Sequence, residues 1–159
     1  MGLDMYLTKK IYIGANYEHN KITGVIDLKK DGEPIPVDLS KLVYIEERAG
    51  YWRKANAIHN WFVENVQDGT DDCRSYYVSH EKLEELRDLC KDILSKVELV
   101  DGKVIANPDV CADLPTTSGF FFGGTEYNEW YVQDLKDTVA ICEEALQDPN
   151  GEFEYQSSW

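Results

Sequence analysis

His59 stands in the stretch GYWRKANAIHNWFVENV, Gly50 to Val66, preceded on the same segment by Arg53 and Asn56. A guanidinium can fork onto a carboxylate or phosphate, and an imidazole can act as base or donor near neutral pH. Drawn at about 100° per residue, a helix over 51–66 gathers Tyr51, Trp52, Ala55, Ile58, His59, Phe62, Val63 and Val66 on one arc. Trp52, Arg53, Asn56 and His59 then form a candidate ligand-binding edge. Lys54 and Trp61 point the other way, Trp61 toward solvent. The competing account makes His59 a core residue tied to a carbonyl or to Asn56, and neutral because burial disfavours its charged form.

The second candidate segment is PTTSGFFFGGT, in which Thr116, Thr117, Ser118 and Gly119 precede three phenylalanines and Gly123-Gly124. Hydroxyls, glycines that admit close backbone approach, and the N–H groups of a following helix start can together hold an anion. The GxxxxGK[ST] spacing of a phosphate-binding loop is absent. In the plainer account Phe120–Phe122 form a short buried strand and the glycines only turn the chain.

A nucleophilic cysteine requires a base and an orienting group. Cys73, in DDC with Asp71 and Asp72, has His59 as its nearest candidate base in sequence. A loop thiol beside an Asx-turn accounts for the same residues. Cys73, Cys90, Cys111 and Cys142 form no CxxC pair, and His19, His59 and His80 form no HxH or HExxH pattern. No metal site, cofactor or catalytic residue is therefore expected. Cys90 and Cys142 fall on apolar helix faces and read as small core residues.

Charge is the strongest compositional signal, with 30 acidic residues against 16 basic and a net of −14. Residues 64–159 carry 22 acids and 7 bases. Such a surface repels nucleic acid and anionic membrane and suits a partner with a basic face. Glu126, Asp137, Glu144 and Asp148 fall close to one outward stripe of the last helix, the candidate partner-binding surface.

The elements that must position these groups follow from pattern. Strands are expected over LDMYLTKKIYIG, over ITGVIDLKKDGEPIPVDL with its turn at KDGE and with Ile22, Gly24, Ile26 and Leu28 on one face, over KLVYIEE, and over YYV. Gly50 marks a break before the first helix. Ser79 caps a helix over 80–97, in which Leu83, Leu86, Cys90, Ile93 and Val97 recur at helical spacing. VELVDGKVIA reads as a hairpin turning at Asp101-Gly102. Thr125 caps a last helix over 127–147, and the tail over 148–159 is expected to be frayed. Strands followed by helices without regular alternation indicate an α+β fold, an antiparallel sheet with about three amphipathic helices packed on it, in one domain over 1–159.

The segments MGLDMYL, YWRKANAIHNWFVENVQ, DDC, YYVS and LPTTSGFFFGGTEYNEWYVQDLKDT, in that order, resemble a family of small proteins carried by phages, prophages and bacteria. The region from about 14 to 42 matches least. No activity, cofactor or catalytic residue of that family carries over, and what the resemblance implies is a phage or prophage origin and expression inside a bacterial cell. No apolar run is long enough to cross a bilayer, and MGLDMYL has neither the basic start of a signal peptide nor the hydroxyl residue that myristoylation needs. A cytoplasmic location in the bacterial host is expected. The leading expectation is a non-enzymatic accessory protein that binds and antagonises a basic host protein, a defence factor included, through its acidic surface. The alternative is a binder or sponge for a small anionic ligand or nucleotide, with a pocket between the Trp52–His59 edge and the Thr116–Gly119 loop. The third is a small enzyme using His59. Oligomeric state is left open.

Overall fold

Alternation of burial along the first segment sets the architecture. Leu3, Met5 and Leu7 are fully buried while Tyr6 and Thr8 face the other side, the period of a half-buried strand. The computed structural model describes residues 2–14, 19 and 24–159. In it β1 (Asp4–Tyr12) pairs antiparallel on both sides, with β4 (Tyr44–Arg53) and with β8 (Glu152–Ser158). β5 (Tyr76–Val78) pairs with β8, giving the order β4-β1-β8-β5. Two further hairpins stand apart from this sheet, β2 (Lys29–Lys30) with β3 (Glu33–Pro34), and β6 (Glu98–Val100) with β7 (Lys103–Ile105). Both turn at Asp-Gly with positive φ at each residue, the tight turn those residue types favour.

The expected α+β fold is present, with three helices: α1 (Asn56–Asn65), α2 (His80–Ser95) and α3 (Glu129–Ala145). Ser79 caps α2 through its side chain, and Leu83, Leu86, Cys90 and Ile93 are its buried residues, as the spacing requires. α2 packs on α3, whose buried residues include Val132, Leu135, Cys142 and Ala145. Cys90 and Cys142 are both fully buried, and burial raises both thiols, Cys142 to about 12. One hydrophobic core joins the sheet's inner face to all three helices. Among the described residues no helix is long and apolar enough to cross a membrane.

Six expectations are corrected. The tail over 148–159 is not frayed: Phe153, Tyr155 and Ser157 are buried in β8, an inner strand of the sheet. The first helix starts at Asn56 rather than at 51, because Gly50, Tyr51, Trp52 and Arg53 belong to β4, with alternate residues buried. Gly50 does not break the strand. A Cβ there would meet Ile141 Cγ2 at 2.5 Å, so glycine lets β4 pass close to α3. Trp61 is 7% exposed and belongs to the core, because α1 is buried nearly all round, with only Asn60, Glu64 and Asn65 outside its buried set. Finally, Phe120–Phe122 form no strand. Phe120 is 92% exposed and only Phe122 is buried, because no neighbouring strand lies there to pair with them. α3 is capped by Asn128, which accepts from Trp130 N–H and Tyr131 N–H, and not by Thr125. Ile22 lies outside the described residues, while Ile26 and Leu28 are exposed.

Candidate functional site

The passage from β4 into α1 is abrupt, and its geometry builds the site. Lys54 takes the left-handed conformation at φ 60°, which costs a non-glycine residue about 1–2 kcal/mol. Its N–H donates to Leu3 O at 2.8 Å. Ala55 follows at φ −75° and ψ 68°, and the Asn56 N–H closes back on Lys54 O at 2.9 Å, an inverse γ-turn. α1 therefore begins without a side-chain cap.

Asn56 is 4% exposed, and both ends of its carboxamide are used. Its Nδ2 donates to Phe122 O at 3.1 Å and to Gly124 O at 2.8 Å, and its Oδ1 accepts from Thr117 N–H at 3.0 Å. One side chain thus fastens the 116–124 loop to the start of α1. Gly123, at φ 89°, lies against Lys54, where a Cβ would come 3.2 Å from Lys54 Cβ. The loop is closed on itself by Thr116 Oγ1 donating to Thr125 O at 2.9 Å. Tyr131 Oη donates to Leu114 O at 2.9 Å and ties the loop's beginning to α3.

These attachments leave a cleft of about 260 Å³ between the β4–α1 turn, the loop and the start of α3. Arg53, Lys54, Asn56 and Thr116 line it together with Glu126, Trp130 and Asp134. Arg53 Nε is 3.9 Å from Asp4 Oδ1, a distant pair, and Lys54 makes no ion pair among the described residues. Burial, with the nearby Asp137 adding to it, raises the Asp134 carboxyl from 3.8 to about 7. The lining thus sets Arg53 and Lys54 against Glu126 and Asp134. Among the described residues no group of three or more His, Cys, Asp or Glu side chains is arranged to hold a metal.

The two candidate segments therefore do lie side by side around one concavity, but not every residue expected there reaches it. Arg53, Asn56 and Thr116 line the cleft. Thr117 acts through its backbone N–H on Asn56, while Ser118 and Gly119 are exposed beyond the lining. Trp52 is in the core, its Nε1–H donating to Thr138 Oγ1 at 2.9 Å. Lys54, expected on the far side, is a wall of the cleft, because it ends a strand instead of riding a helix.

His59 is 1% exposed and belongs to the core. Its Nδ1 meets Tyr155 Oη at 2.8 Å, and Tyr155 stacks on Phe62 with ring centroids 3.9 Å apart. With the phenol donating, the ring proton sits on Nε2. Asp71 Oδ1 lies 3.1 Å from that nitrogen, a charged neighbour that favours the protonated ring. Burial lowers the His59 pKa from 6.5 against the opposing pull of Asp71. Phe122 packs edge-on against the ring at 5.0 Å. Cys73 is exposed and is not among the partners of His59, so the cysteine–histidine couple does not form.

Of the four acids expected as one stripe, Asp137 and Glu144 are exposed two turns apart on α3 and Glu144 lines a shallow cleft with Asp148, while Glu126 stands away from them. Glu126 lies in the cleft wall before α3. Asp148, beyond the other end of α3, takes Lys9 Nζ at 2.5 Å. Asp137 accepts from Gln133 at 2.8 Å, and Glu144 is exposed. Gly123 and Gly124 of the second candidate segment line the cleft as well, and Trp130 and Asp134, neither of them expected as a site residue, complete it. The signal for Asp134 was available: it is an acid set among Tyr131, Leu135 and Thr138, all buried residues of α3.

No protein-family model, no curated protein and no solved structure matches this chain.

Proposed function

We propose that the chain is a binding protein for a small anionic molecule, held in the cleft between the β4–α1 turn and the 116–124 loop. The observation that supports this most is the convergence on one concave surface of Thr116, of Arg53, which has a long ion pair with Asp4, and of Lys54, which makes none among the described residues. Strain at Lys54 is consistent with it, since left-handed non-glycine residues concentrate where a site fixes the backbone. His59 contributes by holding Phe122, and through it the loop, rather than by reacting.

Thermal denaturation of the full chain with increasing inorganic phosphate, sulfate and phosphorylated metabolites tests the reading. A ligand at a hundred times its Kd adds about 2.7 kcal/mol to stability, and Arg53→Ala with Lys54→Ala should abolish the gain. No stabilisation by any phosphorylated compound would refute it.

A second reading keeps the acidic flank as the working surface, engaging a basic host protein in the manner of a phage accessory factor. The 22 acids of residues 64–159 favour it. Capture of a bacterial protein that is lost in 1 M salt would support this reading, and capture unchanged at high salt would contradict its electrostatic basis.

A further inference from the structure

Trp130 is an unusual neighbour for the cations of the cleft. It lines the cleft and is 72% exposed, although indole is normally at least half covered. Asn128 caps α3 through the Trp130 backbone N–H, which fixes this residue in the first turn of the helix beside the cleft. Four residues on, Asp134 also lines the cleft, and side chains at this helical spacing are neighbours on one face. A flat ring laid on the indole therefore has its edge beside the Asp134 carboxyl. Asp134 itself makes no side-chain hydrogen bond among the described residues, so it has capacity for a ring N–H or an exocyclic amine. Arg53 and Lys54 come from a different element, the end of β4, and supply the anion site.

Size narrows the choice further. A cleft of about 260 Å³ is below the ~300–1,000 Å³ of most ligand pockets, which suits a ligand of about mononucleotide size. Inorganic phosphate alone would use the cations and leave the indole uncovered. A sugar phosphate would reach the carboxyls but gains little from a flat aromatic face.

Resting on the reading that the cleft binds an anion, we propose that its ligand is a nucleoside monophosphate, with the base on Trp130, an N–H edge at Asp134 and the phosphate at Arg53 and Lys54. Base stacking on an aromatic side chain is worth about tenfold or more in affinity, and this sets the size of the test. The experiment is isothermal titration of the full chain with inorganic phosphate, ribose 5-phosphate, and adenosine, guanosine, cytidine and uridine monophosphates. The proposal expects at least one of the four to bind about tenfold or more tightly than ribose 5-phosphate. It also expects Trp130→Ala to remove that advantage, read as the ratio of nucleotide to ribose 5-phosphate affinity in each protein. The variant should fold, since the indole is mostly in solvent. If ribose 5-phosphate binds as well as all four nucleotides, the base has no site and the proposal is overturned, while the anion reading stands. If Trp130→Ala leaves the nucleotide advantage intact, the stacking assignment is overturned. If none of the six compounds binds, both the proposal and the anion reading fail.

Discussion

Replacing Asp134 by Asn should make the protein more stable, and the gain should depend on pH in a defined direction. Asp134 is half-buried on α3 between Tyr131, Asp137 and Thr138, and its carboxyl is raised from 3.8 to about 7, first by burial and then by Asp137. Between those values the folded chain holds a proton that the unfolded chain has released, so wild-type stability declines as pH rises through the window. Above about 7 the carboxylate is charged in both states and the penalty is complete. At about 1.36 kcal/mol per pH unit, the interval from 3.8 to about 7 sets a ceiling of about 4 kcal/mol. Solvent reaching this half-buried group screens it, and about 1–2 kcal/mol is the working expectation. Asn keeps the shape and has no charge to desolvate. Urea unfolding of both proteins, followed by circular dichroism from pH 4 to pH 8.5, should show nearly equal stability at the acid end. The variant should lead by about 1–2 kcal/mol at the alkaline end. The His59 contribution is common to both proteins and cancels in the difference. A gap that does not change with pH, or a variant less stable at pH 8, would refute the reasoning.

Other consequences follow from the same contacts. Deleting residues 152–159 should abolish cooperative melting by circular dichroism, since it removes an inner strand with fully buried Tyr155, whereas a frayed tail could be lost without effect. Tyr155→Phe keeps the stacking on Phe62 but strands His59 Nδ1, and should cost about 1–3 kcal/mol in urea unfolding. The His59 ring, held below 6.5 by burial, should remain neutral in imidazole NMR spectra as pH drops through 6.5. Stability should fall over that range, because the unfolded ring binds a proton that the folded one refuses. Titration of His59 at or above 6.5 would contradict its burial. Lys54→Gly should relieve the left-handed backbone and raise stability by about 1 kcal/mol while weakening anion affinity, so stability and binding move in opposite directions.

Much of the body was legible in the sequence where local pattern and tertiary role coincide. α2 is the clearest case, since Ser79 caps it and Leu83, Leu86, Cys90 and Ile93 mark its buried face without competition from another period. The Asp101-Gly102 turn is equally local. The stretch over 50–53 was misread because Tyr51 and Trp52 satisfy a helical arc as readily as a strand, and only pairing with β1 decides between them. β8 was missed for a related reason. Phe153, Tyr155 and Ser157 alternate correctly, but their partners lie in residues 4–10, at the far end of the chain. For FFFGG the apolar run suggested a strand, and the absence of a neighbouring edge left Phe120 in solvent.

The candidate site was half legible for the same physical cause. Arg53, Asn56 and Thr116 were identifiable by type, and Asn56 proves to be the side chain that joins the two segments. Trp52 is expected on the rim by a helix that begins too early and points inward as a residue of β4, whereas His59 takes the core place that its position on the apolar arc allows. Lys54, Trp130 and Asp134 become neighbours only when the loop docks, which no spacing in the sequence encodes.

The most direct measurement is a backbone amide NMR titration of the full chain with a nucleoside monophosphate. The account predicts shifts concentrated at Lys54, Ala57, Thr116, Gly123, Gly124 and Trp130, with Glu144 and the rest of the α3 outer face unmoved. Amides of the cleft that stay in place at saturating ligand, or shifts confined to the acidic face, would contradict it.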